Sequence, residues 1–443
     1  MQPIAQISTP LGSGGIAVIR MSGEKSLDIA LSLFSAKNLT QQNIVPRHLY
    51  YGTFCNNEIK EKCLMAYFKA PFSFTGEDVV EFQVHGGEYL ATFILKSLLA
   101  HGARLAENGE FSKLAFINGK LSLDEAEATI DMINATSESE LKASSKLLCG
   151  ELFSVIKNAQ QKIQDAIVDL EVSIDYPEHD DEVMSIENVC STLKQVRADI
   201  EKLAASHMSG KVIKNGISVA IVGKPNVGKS SLLNALIGED VAIVTEVQGT
   251  TRDIVKETIT HNGIKLNFLD TAGVRESDDV VEKIGIEKSL DAINMCDVVV
   301  AVFDASNPLD EKDAKILTLT ENKNTIYVQN KCDISVSPFV KPAIQISALT
   351  KQNINKIKDE ILAYAKAKNI NYDSLIITNE RHNQALVEAM EVLDEAILAC
   401  KTQTADIVDL LAKSVWKTLG KITGESEVEN IIDAIFSKFC LGK

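Results

Sequence analysis

The sequence predicts a multidomain chain of α/β and α parts: an N-terminal α+β domain, then a discontinuous helical bundle into which an α/β domain is inserted. Three observations carry this. A glycine-rich loop flanked by strand and helix patterns sits mid-chain, apolar residues at helical spacing occur on both sides of it, and the first 118 residues alternate short strands with turns.

Strand patterns such as Gly15-Ile-Ala-Val-Ile-Arg20 and Val79-Val-Glu-Phe-Gln-Val84 make residues 1–118 a separate α+β domain. Arg20 is read as closing one strand and Glu81 as lying within another. With Lys120 they could line a small-molecule pocket, although each alone reads more readily as a surface charge. Ser122-Leu-Asp-Glu125 has capping-box spacing and opens the helical part.

Leu152, Ile156, Ala159, Ile163, Ala166 and Leu170 step by four and three, as do Ile186, Val189, Leu193, Val196, Ile200 and Leu203. Leu386, Met390, Leu393, Ile397 and Cys400 repeat the pattern, and helical stretches follow at 404–420 and 427–439. Helices before and after the central segment need each other's apolar faces. The expected domains are therefore 1–118, a helical part at 119–210, an inserted domain at 211–373, and a second helical part at 374–443. Gly210 and Asn369-Ile-Asn-Tyr-Asp373 are the expected hinges.

The inserted domain reads as a P-loop GTPase of Ras-like α/β fold. Gly223-Lys-Pro-Asn-Val-Gly-Lys-Ser230 follows an apolar strand, Ile217-Ser-Val-Ala-Ile-Val222, and opens a helix that Gly238 closes. Such a loop turns consecutive backbone N–H groups towards phosphates, with Lys229 adding a point charge and Ser230 a hydroxyl for Mg²⁺. Three further clusters each follow a candidate strand: Asp270-Thr-Ala-Gly273, Asn330-Lys-Cys-Asp333 and Ser347-Ala-Leu349. An open parallel sheet binds ligands at these carboxyl ends. The Asp333 carboxylate can accept from both the ring N–H and the exocyclic amine of guanine, a pair that adenine does not offer. GTP and GDP are accordingly the expected nucleotides.

Val274 stands where Ras-type enzymes carry a water-orienting glutamine, so another polar group must reach the site; Glu276, Asp278, Asp279 and Glu282 are candidates. Gly249-Thr-Thr-Arg-Asp253 reads as the first switch, with Thr251 as a Mg²⁺ ligand. Arg252 and Arg275 lie in the switch segments, yet neither is placed by sequence as an arginine finger. Asn226 could hold a monovalent cation, although spacing alone favours a loop-stabilising role.

The 443 residues carry a net charge of −16, which argues against broad nucleic-acid binding through many cationic contacts. Any RNA contact must be local or shared with a partner. No apolar run of about 18 residues predicts a membrane span, and a cytoplasmic location is expected. The eight cysteines show no Cys-x-x-Cys pair and are expected to be mostly buried free thiols.

Together with the GTPase set, Gly12-Ser-Gly-Gly-Ile-Ala-Val-Ile-Arg20, Ser73-Phe-Thr-Gly-Glu-Asp78, His85-Gly-Gly87, the segment from Asn118 to Ala128, and Phe439-Cys-Leu-Gly-Lys443 resemble the tRNA-modification GTPase MnmE (TrmE) family. The resemblance covers essentially the whole chain. Departures are few: Leu441 replaces a common isoleucine, and Asn118-Gly119 varies a loop.

The resemblance implies nucleotide contacts from Asn226, Val227, Gly228, Lys229, Ser230 and Ser231, from Thr245, Glu246, Val247, Gln248, Gly249, Thr250 and Thr251, and from Asp270, Thr271, Ala272 and Gly273. Asn330, Lys331, Asp333, Ser347 and Ala348 complete the set. It implies Mg²⁺ at Ser230 and Thr251, and K⁺ at Asn226, Thr245, Val247 and Thr250 in place of an arginine finger, which reverses the preference at Asn226. Glu282 matches the acid that activates water.

A homodimer is implied, whose N-terminal domain binds 5-formyl- or methylene-tetrahydrofolate through Arg20, Glu81, Lys120 and Lys443. With the flavoprotein MnmG, in a heterotetramer, the family modifies carbon five of the wobble uridine of certain tRNAs. Cys440 matches a cysteine whose role spacing does not define. A GTP-dependent ribosome-assembly factor and a nucleotide-switched scaffold are the other readings; the first expects a basic RNA-binding module, which this chain lacks.

Overall fold

The computed structural model describes residues 2–175, 182–238, 255–269, 292–366, 375–426, 429–439 and 442. Two compact units emerge: residues 1–134, 145–196 and 391–443 in one, residues 135–144 and 197–390 in the other.

The first unit begins with β1 (Ile4–Ile7), β2 (Ile16–Ser22), α1 (Ser26–Leu33), β3 (Phe34–Ser35), β4 (Leu49–Asn56), β5 (Ile59–Phe68), β6 (Val79–His85), α2 (Glu88–Ala100), β7 (Arg104–Leu105) and α3 (Glu110–Ile117). Its sheet runs β3-β4-β5-β6-β2-β1-β7, antiparallel except for the β1–β7 pair. Period-two alternation sets its faces: Ala17, Ile19 and Met21 of β2 and Val80, Phe82 and Val84 of β6 are buried under residues of α1 and α2. Arg20 and Glu81 are register partners pointing the other way. Strand β2 continues to Ser22, so Arg20 lies inside the strand rather than closing it, because Met21 and Ser22 still pair with Val80 and Val79.

Helices α4 (Leu123–Asn134), α5 (Glu138–Leu148), α6 (Glu151–Asp175), α7 (Glu182–Ala205) and α8 (His207–Asn215) follow. The capping box forms as read, Ser122 N–H donating to Glu125 Oε2 at 2.8 Å. All six expected apolar positions of α6 are buried, and so are Val189, Leu193, Val196, Ile200 and Leu203 of α7.

The second unit is built on β8 (Ile217–Val222), α9 (Lys229–Ile237), β9 (Val255–His261), β10 (Ile264–Leu269), β11 (Val298–Asp304), α10 (Glu311–Thr320), β12 (Thr325–Asn330), β13 (Ile344–Gln345) and α11 (Ile354–Lys366). Its sheet runs β13-β12-β11-β8-β10-β9, and every pair except β9–β10 is parallel. Strands β8 and β11 are apolar almost throughout because helices of α/β folds cover both sheet faces.

The chain ends with α12 (Glu380–Thr402), α13 (Ala405–Thr423) and α14 (Glu429–Phe436). On α12 the buried stripe is Leu386, Ala389, Leu393 and Ala396, while the expected Met390, Ile397 and Cys400 are half-buried at its flank. Two leucines and two alanines thus share the stripe, and Ala389 and Ala396 rather than their neighbours Met390 and Ile397 face inward. In the first unit Gln160 of α6 donates to the Trp416 carbonyl of α13 at 3.0 Å. The apolar tail also packs there: Phe436 and Phe439 join Leu123 and Ala126 in one cluster.

Of the described cysteines only Cys63 and Cys190 are buried; Cys149 is exposed and the rest are half-buried. Burial pushes the Cys63 thiol up to about 11. Cys440 and the expected Asn369–Asp373 hinge lie outside the described residues. Among the described residues no helix is long and apolar enough to cross a membrane.

Gly210 sits within α8, where an added Cβ would come 1.9 Å from the Ile377 carbonyl oxygen. Gly210→Ala should therefore cost about 1–3 kcal/mol by overpacking. Calorimetry should show an earlier unfolding transition, and an unchanged melt would contradict this packing.

Candidate functional site

The loop between β8 and α9 is shaped by backbone conformation before any side chain acts. Asn226 (φ 64°) and Gly228 (φ 95°) are both left-handed. At Gly228 no other residue fits, since a Cβ would meet Asn330 Nδ2 at 2.3 Å. Helix α9 then starts at Lys229 with no side chain capping its first turn. Its leading N–H groups lack intrahelical acceptors and, with the helix dipole, suit an anion.

Lys229 Nζ donates to the carbonyls of Gly223 and Lys224, each at 2.9 Å. Burial lowers this ammonium's pKa. Both of these acceptors are neutral carbonyls, so an arriving phosphate would supply the countercharge. Ser230, next along the helix, is exposed.

Sheet order brings the other loops to the same edge, because β8 lies between β10 and β11, with β12 and β13 beyond. Asn330, 2% exposed, closes β12; its Nδ2 donates to the Val227 carbonyl at 2.8 Å and its Oδ1 accepts from Ala348 N–H at 3.0 Å. One amide thus fastens three loops together. The Ser347 hydroxyl, fully buried, accepts from Thr350 N–H at 3.1 Å and shapes the turn that carries Ala348. Lys331 (φ 67°) turns the chain beyond β12, and the Asp333 carboxylate is exposed.

Asp304, at the end of β11, accepts from Lys331 Nζ at 2.7 Å. Burial opposes the charge of Asp304, but Lys331 and Ser306 outweigh it and hold the carboxyl at about 2. Its contribution is complete above the ordinary aspartate range and is lost as pH falls through about 2. Sequence reading did not single out Asp304; a lone carboxylate ending the apolar run Val298–Phe303 is the signal that could have found it.

Thr245, Glu246, Val247, Gln248, Gly249, Thr250, Thr251, Asp270, Thr271, Ala272, Gly273 and Glu282 lie outside the described residues, as does Lys443.

In the first unit Arg20 Nε donates to Glu81 Oε1 at 2.8 Å, both side chains about one-fifth exposed. The guanidinium lies 5.3 Å from the Phe74 ring centroid and 5.8 Å from that of Phe111. Lys120 is exposed, and its Cε lies 3.2 Å from where a Cβ on Gly76 would stand. Gly442 accepts from the Ser8 hydroxyl at 3.0 Å and so lies near β1, whose Gln6 is the register partner of Arg20. The donor set fits a folate-type ligand: a carboxylate for paired ring N–H groups, aromatic rings for a flat heterocycle, cations for carboxylates.

The family described as MnmE helical domain matches residues 123–440, and that described as GTP-binding protein TrmE N-terminus matches residues 3–120. The tRNA modification GTPase MnmE of Clostridioides difficile (strain 630) is 41% identical over 99% of both chains. Its counterpart from Streptococcus thermophilus (strain CNRZ 1066) is 39% identical over 99% of this chain and 98% of the other. A solved Aquifex aeolicus Era bound to GDP.AlF4- is 29% identical, covering 40% of this chain and 66% of that one, with a TM-score of 0.28.

Asn330→Ala would leave the Val227 carbonyl and the Ala348 N–H without this partner. Each buried orphan costs about 1–3 kcal/mol, so affinity for a fluorescent GDP analogue should fall about tenfold or more. Wild-type affinity in this variant would show that the amide does not hold the site.

Proposed function

This chain belongs to the MnmE family of tRNA modification GTPases, and from that premise we propose a K⁺-activated GTPase that acts with MnmG on the wobble uridine of certain tRNAs. The observation that carries the GTPase reading is the buried Asn330 amide, which joins the phosphate loop to the base-recognition loops. GTP hydrolysis in tRNA modification is the activity of the family. Full-length relatives named tRNA modification GTPase MnmE favour this reading over a ribosome-assembly factor or a scaffold.

The α9 N-terminus and Lys229 bind the β- and γ-phosphates, and Asp333 selects guanine. Mg²⁺, when bound, would be held by the hydroxyl oxygens of Ser230 and Thr251, with Asp270 as a candidate acceptor for its waters. Neutral oxygens of Asn226, Thr245, Val247 and Thr250 suit K⁺, which when bound supplies the positive charge that an arginine finger supplies elsewhere. Glu282 orients the attacking water and accepts its proton as the bond to the γ-phosphorus forms and GDP departs. Thr271, Ala272 and Gly273 would report the loss of the γ-phosphate to the rest of the chain.

The domain plan of 1–118, 119–210, 211–373 and 374–443 places this GTPase between two helical parts, and hydrolysis would drive G-domain dimerisation in a cytoplasmic homodimer. Support for the folate site is the Arg20–Glu81 pair with its guanidinium over the Phe74 ring, with Lys120 against Gly76 and Lys443 following Gly442 in sequence. A 5-formyl- or methylene-tetrahydrofolate there supplies one-carbon chemistry, while the flavin belongs to MnmG. The product carries an aminomethyl or carboxymethylaminomethyl group at carbon five of the uridine.

Steady-state hydrolysis should be severalfold faster in KCl than in NaCl at equal ionic strength; equal slow rates would defeat the K⁺ mechanism. Glu282→Ala should bind GTP normally yet lose at least about 10²-fold in turnover, in line with general-base removal. Full turnover in that variant would remove Glu282 from its role. Calorimetry of 5-formyl-tetrahydrofolate binding should weaken on Arg20→Ala, and unchanged affinity would overturn the assignment.

A further inference from the structure

We propose that Asp310 and Asp313 are positioning residues for GTP hydrolysis, acting through Lys224 to hold the phosphate loop in the shape that presents Lys229 to the γ-phosphate. The inference rests on the GTPase reading above and adds residues that this reading does not use.

Lys224 is the second residue of the phosphate loop and is four-fifths buried. Its backbone carbonyl accepts from Lys229 Nζ at 2.9 Å, so its position helps to fix that of the phosphate-binding ammonium. Its side chain reaches α10, donating to Asp310 Oδ2 at 2.9 Å and to Asp313 Oδ2 at 2.7 Å.

Both carboxylates are themselves fixed. Asp310 Oδ1 accepts from Asp313 N–H at 3.0 Å, and Asp313 Oδ2 accepts from Asp310 N–H at 3.1 Å, forming a reciprocal capping box. A single oxygen of Asp313 therefore serves both the helix cap and the lysine. Asp313 is 2% exposed, and its other oxygen is buried with no hydrogen-bond partner among the described residues. Lys224 thus supplies the charge that a carboxylate buried there requires. The bond to Asp313 is the main reason the Lys224 ammonium's pKa is raised. Engaged by two carboxylates, this cation anchors the loop to α10 and is not offered to an anion.

Tight neighbours leave the loop little latitude elsewhere, since a Cβ on Gly223 would meet the Val302 carbonyl oxygen at 2.5 Å. Without the anchor, the loop adopts its binding shape for a smaller fraction of the time, and nucleotide affinity falls by that fraction. Bound nucleotide restores the shape, so turnover at saturation should change little.

The test uses the full chain. In Lys224→Met the KM for GTP and the calorimetric Kd for GDP should both rise about five- to tenfold while kcat stays within about twofold. Lys224→Arg, whose guanidinium can engage both carboxylates, should restore both constants. Adding Asp313→Asn to Lys224→Met should weaken affinity no further, because both act through one contact. If Asp313→Asn does not fold, Asp310→Asn, at the exposed end of the clamp, replaces it in the cycle.

Unchanged KM and Kd in Lys224→Met, or fully additive losses in the double variant, would overturn the proposal. A purely structural lysine would lower the melting temperature and leave the KM-to-kcat split untouched. Absence of GTP turnover by the intact chain would sink the GTPase reading instead, and the GDP affinities would still decide the clamp.

Discussion

The side-chain amide of Asn330 is the contact on which the nucleotide site depends. Its two halves are spent in opposite directions, donating into the phosphate loop at Val227 and accepting from Ala348. Gly228 must lack a side chain because the amide stands where its Cβ would be. The left-handed turn there leads directly into the start of α9. A buried amide with both ends satisfied also sets one geometry, because any displacement orphans a polar group in a dry place.

Around this contact the sheet supplies distance and the loops supply charge. Parallel pairing of β8, β11, β12 and β13 puts their carboxyl ends at one edge, so residues a hundred positions apart meet without a long connection. Three ion pairs, Asp304 with Lys331 and both Asp310 and Asp313 with Lys224, tether the guanine-side and phosphate-side loops to opposite ends of the β11–α10 connection. The N-terminal sheet uses a different device. Antiparallel register sets Arg20 opposite Glu81 on the face away from the core, and two aromatic rings flank the guanidinium.

Much of this was legible because it is local. The strand, loop and helix around Gly223 to Ser230 follow from adjacent residues, as do the capping box at Ser122 and the buried stripes of α6 and α7. What was not legible depends on partners distant in sequence. Nothing near Lys224 announces Asp310 or Asp313, about 90 residues downstream, and the capping-box spacing of that pair reads only as a helix start. The α12 stripe misled by its large residues: Met390 and Ile397 looked like core, but Ala389 and Ala396 face inward. The pattern Gly15–Arg20 puts Arg20 at a strand end, yet pairing with β6 carries the strand two residues further.

The proposed function ties the nucleotide site to wobble-uridine modification. The most direct test is mass spectrometry of tRNA nucleosides from a strain lacking this chain, complemented either by the intact protein or by the Glu282→Ala variant. The modified uridine should disappear from the deletion strain, return with the intact protein and not return with the variant. A normal nucleoside profile in the deletion strain would contradict the proposed function.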